Sequence, residues 1–125
     1  MENWSHTKLG KTWDIYSESG EERGVEYPTG VGKIDILAQK KKGKDFLVVE
    51  LKRDQTGDAT VGQVMRYMTW VRRHMAKGVK VSGMIIVRET DDKLMYALDG
   101  LPNIRLMRYE VRFELADVPL VFNAK

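Results

Sequence analysis

The 125-residue sequence contains no cysteine and no long hydrophobic run. Without cysteine there is no thiol nucleophile, no thiolate metal ligand and no disulfide framework. No apolar stretch approaches the roughly 20 residues of a membrane span, and the first residues lack the layout of a secretion signal, so a cytoplasmic location without a membrane partner is expected. The absence of a glycine-rich phosphate loop, a Ser/His/Asp set and zinc-ligand spacing disfavours a small-molecule enzyme.

The composition is that of one globular domain with an uneven charge. Hydrophobic residues make up 42% of the chain and charged residues 31%. A chain of this length buries roughly two-thirds of its unfolded surface, so residues 1–125 are expected to form a single domain. The net charge is only +3, but residues 39–80 hold eleven basic and four acidic residues. Such a stretch is either a solvated face or a surface for polyanions such as nucleic acid.

Hydrophobic periodicity predicts an α/β fold. In chain order, the predicted elements are a helix over 5–17, a polar turn over 18–23, strands over 24–27, 32–39 and 46–52, a helix over 59–76, a strand over 79–87, a short helix over 91–98, and strands over 104–109 and 111–115. A turn at 40–45 makes the second and third strands an antiparallel hairpin. The helix after the hairpin is a crossover, so the strands that flank it are expected to be parallel within a mixed central sheet.

The predicted hairpin brings two carboxylates together. If its turn is symmetric, Gln39 faces Phe46 and Asp35 faces Glu50. Directly opposed residues on one face of an antiparallel pair have Cβ atoms about 4.5–5.5 Å apart, where like charges repel. Glu50 also follows an apolar run, so its carboxylate is expected in the interior, where an unpaired charge is costly. A cation must offset both costs.

Either a divalent metal ion or the Lys52 ammonium group can offset the cost of placing the two carboxylates together. Mg²⁺ or Mn²⁺ suits hard oxygen ligands such as one or two carboxylates with water and substrate phosphate. Lys52 lies two residues after Glu50 and therefore on the same strand face. An isolated Glu-x-Lys tripeptide favours a plain salt-bridge network. The hypothesis of a ligand site gains weight because such sites lie at the carboxyl ends of strands in open α/β sheets, where Lys52 leads toward the helix bearing Gln63.

Four segments of the sequence, in this order, resemble a known family. They are residues 32–37, 48–53, 56–58 and 61–71, and they contain Ile-Asp, Glu-x-Lys and Gln-x-x-x-Tyr. The set resembles the nuclease domain of the NucS/EndoMS mismatch endonucleases, within the PD-(D/E)XK, restriction-endonuclease-like superfamily. The resemblance spans residues 26–71. The Pro-Asp dipeptide of the family is Ile34-Asp35 in this sequence.

The resemblance implies both a fold and an activity. The fold is a restriction-endonuclease-like core of a helix, a three-stranded antiparallel meander, a crossover helix and a parallel strand, with helices on both faces of the sheet. The activity is metal-dependent endonucleolytic hydrolysis of DNA phosphodiester bonds, in DNA repair. By this resemblance Asp35 and Glu50 bind Mg²⁺ or Mn²⁺, with the Leu51 carbonyl as a further ligand.

The same resemblance gives roles to the surrounding residues. Lys52 is expected to orient the attacking water or help to deprotonate it. Gln63, counted with the catalytic residues, and Tyr67 lie one helical turn apart and support the site. An acid from the first helix, which many members use, has no clear counterpart. The candidates are Glu2, Asp14 and Glu26, of which Glu26 ranks first because its strand adjoins the site.

Basic side chains near these elements are expected to contact DNA: Lys33, Lys41, Lys42, Arg53, Arg66 and Arg73. The lysines of the hairpin turn either hold phosphates beside the cleavage point or form a solvated tip. The expected partner is double-stranded, mismatched or branched DNA, and a homodimer is among the expected assemblies. The family's N-terminal domain for dimerisation and DNA binding is not expected in this chain. The alternatives are therefore a Holliday-junction resolvase, a restriction or phage-defence nuclease, and a non-catalytic nucleic-acid-binding module.

One face of the long predicted helix carries a stripe of four side chains, Gln63, Tyr67, Trp70 and His74. Trp70 can stack on an unpaired base, pack in a dimer interface or cover a neighbouring element. Packing is the more common role for such a side chain. His74 lies near the helix end, where the helix dipole favours a positive charge.

Overall fold

The computed structural model describes residues 4–53 and 58–121. In chain order its strands and α-helices are β1 (Trp13–Ile15), β2 (Ser17–Glu18), β3 (Glu21–Glu22), β4 (Val25–Thr29), β5 (Gly32–Lys40), β6 (Phe46–Lys52), α1 (Ala59–His74), β7 (Val81–Val87), α2 (Asp92–Leu98) and β8 (Ile104–Arg108). Two 3₁₀ turns, Trp4–His6 and Leu9–Lys11, precede β1. The α/β class expected from the sequence is confirmed.

Six of these strands form one mixed sheet. β1 and β4 both pair with β5 in antiparallel orientation, and β5 pairs with β6 in the same way. β6, β7 and β8 are parallel, with α1 and α2 as the two crossover helices. The parallel pairing around α1 agrees with the prediction, because a crossover connection allows neighbouring strands to run in the same direction.

The register of the β5–β6 hairpin is the one expected for a symmetric turn. Gln39 pairs with Phe46, and the pairing continues to Ile36 and Val49. The next position along the two strands holds Asp35 and Glu50. The hairpin therefore sets the two carboxylates opposite each other, at the end of the ladder that is remote from the turn.

The two faces of the sheet are covered differently. On one face, Val48 packs with buried residues of α1 and with Leu94 of α2. On the other face, Val49 packs with Trp4. The expectation of helices on both faces is therefore wrong for the described residues, because both α-helices pack on the same side and the other side is covered by the N-terminal 3₁₀ turns.

The first predicted helix, over 5–17, does not form. The segment makes two 3₁₀ turns and then β1, which pairs with the end of β5. Trp4 is buried, and its Nε1 donates a hydrogen bond to the Trp13 carbonyl at 2.8 Å. Gly10 lies so close to the Trp4 carbonyl that a side chain at this position would collide with it. These tertiary contacts override the apolar spacing that suggested a helix.

Other boundaries shift for local reasons. The polar turn predicted over 18–23 is the short β2–β3 hairpin, and β4 continues through Pro28 to Thr29. On α1, the apolar side chain of Met65 is 45% exposed, whereas Tyr67 is buried. The strand predicted over 111–115 is absent, and residues 109–121 have no regular structure. Within the described ranges, no helix is long and apolar enough to cross a membrane.

Candidate active site

Asp35 and Glu50 are linked by two reciprocal hydrogen bonds. The Asp35 amide donates to Glu50 Oε1 at 3.2 Å, and the Leu51 amide donates to Asp35 Oδ2 at 2.8 Å. Each carboxylate thus accepts a hydrogen bond from the backbone of the opposite strand. The hairpin therefore fixes both carboxylates through backbone amides of the neighbouring strand.

The alternation of β5 breaks at the same position. Ile34 and Leu37 pack in the cluster that contains α1, while Ile36 and Ala38 pack in the cluster on the opposite face. A regular strand would place Ile34 and Ile36 on the same face, because side chains alternate with a period of two. The change of face coincides with Asp35, whose side chain accepts the hydrogen bond from the β6 backbone.

Burial and proximity raise the proton affinity of Glu50. The residue is 1% exposed. The pKa of Glu50 is raised from 4.5 to about 7. Burial is the largest cause of the rise, and the charge of Asp35 and a hydrogen bond between the two side chains also contribute to it. The hydrogen bond from the Asp35 amide and the charge of Lys52 lower the pKa but do not cancel the rise. At neutral pH the two carboxylates together therefore favour the binding of a proton or of another cation.

Lys52 is near the pair without neutralising it. Its side chain is partly buried at the end of β6, and its charge acts on Glu50. It makes no ion pair within 4.0 Å to any carboxylate among the described residues. The simple salt-bridge network that Glu-x-Lys suggested is therefore not present in the described residues.

Gln63 and Tyr67 interact with each other on α1. Gln63 Nε2 donates to the Tyr67 hydroxyl at 3.4 Å. The hydroxyl lies against Gly32, where a Cβ atom would be only 2.6 Å from it. Gly32 has a φ of +128°, so both its backbone angle and its contact require glycine. Tyr67 thus packs α1 against the start of β5, three residues before Asp35, which agrees with a supporting position.

Glu26 does not join the carboxylates. It is exposed and has a φ of +50°, which is uncommon for a residue other than glycine. In residues 4–53 and 58–121 no three His, Asp or Glu side chains are grouped to hold a metal. Asp14 forms an ion pair with Lys41 at 3.0 Å. Glu2 lies outside the described residues, so no described acid takes the role expected of a third acid.

The turn lysines lie at the other end of the hairpin from the carboxylates. Lys41 and Lys42 follow β5, while Asp35 and Glu50 are at the opposite end of the paired segment. Glu50 is four positions after Phe46 on β6, which is roughly 13 Å of strand. This separation favours a solvated tip, and phosphate contacts of these lysines beside the cleavage point stay a prediction. A solvated tip was the alternative, and both side chains are exposed.

The other predicted DNA contacts are exposed on elements that bear the site. Lys33 is on β5 two residues before Asp35, and Arg53 follows β6. Arg66 and Arg73 are on the outer side of α1 and line one cavity. The Thr56-Gly57 part of the resemblance lies outside the described residues.

Two arginines were not singled out from the sequence, Arg88 directly after β7 and Arg108 at the end of β8. The parallel register aligns Lys52 with Val87 and Val87 with Arg108. Arg88 and Arg108 line a cavity of about 650 Å³ beyond the ends of β7 and β8, together with Glu89 and Glu110, and Arg108 lies 3.9 Å from Glu110. The carboxyl ends of three parallel strands therefore carry Lys52, Arg88 and Arg108 along one edge. The signal was available, since a basic residue ends each of these strands or follows it directly.

The donor set suits a hard divalent ion. One buried and one partly buried carboxylate provide the ligands that Mg²⁺ and Mn²⁺ prefer. The pKa of Glu50 is raised chiefly by burial and then by the charge of Asp35, so a bound cation would be favourable at this pair. A site with two carboxylates leaves the remaining coordination positions to water, a carbonyl or a substrate oxygen.

Fold and site together define a mixed α/β domain with a buried carboxylate pair and an adjacent lysine. The family model for the endonuclease NucS C-terminal domain matches residues 18–111. The chain belongs to this family, which confirms the resemblance to NucS and EndoMS. The matching model is that of the C-terminal domain of NucS, whereas the sequence pattern was interpreted as its nuclease domain.

Solved structures share the fold at low sequence identity. A repair endonuclease from Pyrococcus abyssi superposes with a TM-score of 0.63 at 19% identity, over 82% of this chain and 40% of its own. EndoMS in a complex with double-stranded DNA gives a TM-score of 0.67 at 18% identity, over 90% of this chain and 42% of its own. The chain thus spans about two-fifths of the length of these two proteins.

Proposed function

We propose that this domain is a metal-dependent DNA endonuclease of the PD-(D/E)XK type, acting in DNA repair. The observation that carries the proposal is the reciprocal hydrogen bonding of Asp35 and Glu50, which fixes the two carboxylates beside each other. Membership of the NucS C-terminal domain family supports it. So does the fold shared with a repair endonuclease and with EndoMS in a complex with DNA.

The carboxylates would hold Mg²⁺ or Mn²⁺ together with the Leu51 carbonyl. When bound, the divalent ion supplies positive charge that polarises a phosphodiester and favours ionisation of water. The chain contributes a rigid ligand pair, because both side chains are fixed by backbone amides of the neighbouring strand. Rigid ligands need no reorganisation during the reaction, which is how preorganised electrostatic sites lower a barrier.

Lys52 would act on the reacting phosphate or on the attacking water. It lies two residues after Glu50 on the same strand face and makes no ion pair with a described carboxylate. Its ammonium group can therefore orient a water molecule or stabilise charge that develops on the phosphate oxygens. Gln63 and Tyr67 would act indirectly, by holding α1 against the start of β5.

The DNA backbone would run along the carboxyl ends of the parallel strands. Arg53, Arg88 and Arg108 are exposed at this edge, beside Lys52. Phosphate contacts of this kind position a duplex without reading its sequence. These basic residues would orient the DNA backbone across the proposed site. The turn lysines would not, because they are at the other end of the hairpin.

Cleavage of DNA tests the proposal. The protein is incubated with supercoiled plasmid, mismatched duplex and branched duplex, with Mg²⁺ or Mn²⁺ or with chelator. Metal-dependent cleavage is expected, and Asp35→Asn and Glu50→Gln should reduce it by at least about a hundredfold, because each variant removes one charged ligand. Lys52→Ala should also reduce it, with the larger effect on kcat.

Asp45→Asn is the matched control. Asp45 is on the same hairpin but next to the turn, and its side chain makes no ion pair with a described residue. This variant should cleave like the wild type. Cleavage that survives both Asp35→Asn and Glu50→Gln would discard the site. DNA binding without cleavage of any substrate would favour the non-catalytic module, and a preference for branched DNA would favour a junction resolvase.

A further inference from the structure

The outer side of α1 and the β4–β5 turn form a second cavity, away from the carboxylates. Its volume is about 410 Å³, and its lining includes Val31, Arg66, Trp70, Arg73 and His74. This volume is within the roughly 300–1,000 Å³ of small-ligand pockets. Among the residues that the structure describes, no acidic side chain lines it. None of the roles proposed for the carboxylate site uses this cavity.

A stacked pair of rings forms part of the cavity. The Trp70 and His74 rings are 4.5 Å apart between centroids and inclined by only 16°. His74 Nδ1 lies 2.9 Å from the Trp70 carbonyl, which fixes the imidazole, and the Tyr27 ring contacts Trp70 at 6.3 Å. Trp70 thus covers a neighbouring element, as one sequence interpretation had it, while the exposed His74 extends the stack toward solvent. A fixed aromatic platform binds a flat ring with little loss of side-chain entropy.

Positive charge lies at both ends of this platform. Arg66 and Arg73 are seven residues apart on α1, which corresponds to roughly 10 Å along the helix axis. Both are exposed, and neither makes an ion pair with an acid among the described residues. The neighbouring Arg72, by contrast, donates to Thr69 Oγ1 at 3.1 Å and does not line this cavity.

We propose that this cavity binds one unpaired nucleobase of a DNA substrate, stacked on the Trp70–His74 pair with flanking phosphates on Arg66 and Arg73. The proposal rests on the proposed function only in taking DNA as the ligand. A flat uncharged ring between two anionic groups is the chemistry that matches an aromatic platform between two guanidinium groups. Trp70 is seven residues after Gln63 on α1, roughly 10 Å along the axis, so the base would lie near but outside the reacting position.

Equilibrium binding in chelator, where no cleavage occurs, tests the proposal. Fluorescence anisotropy is measured with three labelled duplexes, one fully paired, one with a single extra unpaired nucleotide, and one with an abasic residue at the unpaired position. The wild type should bind the duplex with the unpaired base at least about tenfold more tightly than the other two, as expected for base–aromatic stacking. His74→Ala and Arg73→Ala should reduce this preference severalfold, and Arg72→Ala should keep it.

Each outcome decides the question. His74 is exposed, so removal of its side chain is compatible with folding, which thermal unfolding verifies. Equal affinity of the wild type for the three duplexes, or an equal loss for all three in His74→Ala, would overturn the base-binding site and leave the surface to backbone or protein contacts. The result is independent of the cleavage test. Base preference without cleavage would retain this inference and reject the proposed activity, and cleavage without base preference would do the reverse.

Discussion

The burial of Glu50 predicts that the metal-free protein loses stability as the pH rises. The pKa of Glu50 in the folded protein is about 7, against 4.5 for an exposed side chain. Between these two pH values the native state binds more protons than the unfolded state, so the free energy of unfolding falls with increasing pH. The stabilising effect of the protonated form is fully present below about pH 4.5 and is lost as the pH rises through about 7.

The magnitude follows from the size of the shift. Each pKa unit corresponds to about 1.4 kcal/mol, so the rise from 4.5 to about 7 corresponds to about 3 kcal/mol. Glu50→Gln has nearly the same shape and no charge, and its amide oxygen can still accept the hydrogen bond from the Asp35 amide. The variant should therefore be more stable than the wild type by about 3 kcal/mol at pH 8, with a difference near zero at pH 4.5.

Urea denaturation in chelator measures this difference. Wild type, Glu50→Gln and Asp45→Asn are unfolded at about pH 5, where most of the effect of protonation remains, and at about pH 8. Because wild type and Glu50→Gln share every other titrating group, the change in the gap between these two proteins isolates Glu50 and its interaction with Asp35, while Asp45→Asn shows the effect of removing an acid elsewhere on the hairpin. A gap that is the same at both pH values, or a Glu50→Gln variant less stable than the wild type at pH 8, would refute the argument that the described residues leave this carboxylate uncompensated.

Three further predictions follow from other contacts. Millimolar Mn²⁺ should raise the melting temperature more at pH 8 than at pH 6, because at the lower pH binding must displace a proton from the carboxylate pair. Glu50→Gln should abolish this gain. A metal effect that is equal at both pH values would contradict the prediction. Gly32→Ala should destabilise the protein by about 1–3 kcal/mol in urea unfolding, because it strains a φ of +128° and crowds the Tyr67 hydroxyl, and the Tyr67→Phe background should restore only the steric part. In DNA-binding titrations Arg53→Ala should reduce the salt slope by about 1, while Lys42→Asn, at the remote turn, should leave it unchanged.

The central hairpin could be predicted from the sequence because its determinants are local. The turn around Gly43 and the alternation on both sides give one register, in which Gln39 pairs with Phe46. A one-residue slip would have moved every side chain of a strand to the other face, so the pattern admits few alternatives. The opposition of Asp35 and Glu50 follows from that register alone.

The N-terminal segment could not be predicted because its determinants are distant. Residues 5–17 have apolar spacing compatible with a helix, but the Trp4 indole bonds to the Trp13 carbonyl and β1 pairs with β5. Helix propensity is a weak guide when such tertiary contacts compete. The same reason explains the arrangement of the sheet faces, because no local pattern shows that the other face is covered by 3₁₀ turns rather than by a helix.

The break in the alternation of β5 connects the fold to the proposed chemistry. A strict period of two would place Ile34 and Ile36 on one face, yet they pack on opposite faces around Asp35. At this position side-chain oxygens of both acids accept backbone amide hydrogens from the opposite strand. Burial at this position keeps Glu50 out of water and, together with the charge of Asp35, raises its pKa, although the hydrogen bond from the Asp35 amide lowers it. The irregularity in the strand therefore coincides with the carboxylate pair, and a cation bound at the proposed site should stabilise the hairpin.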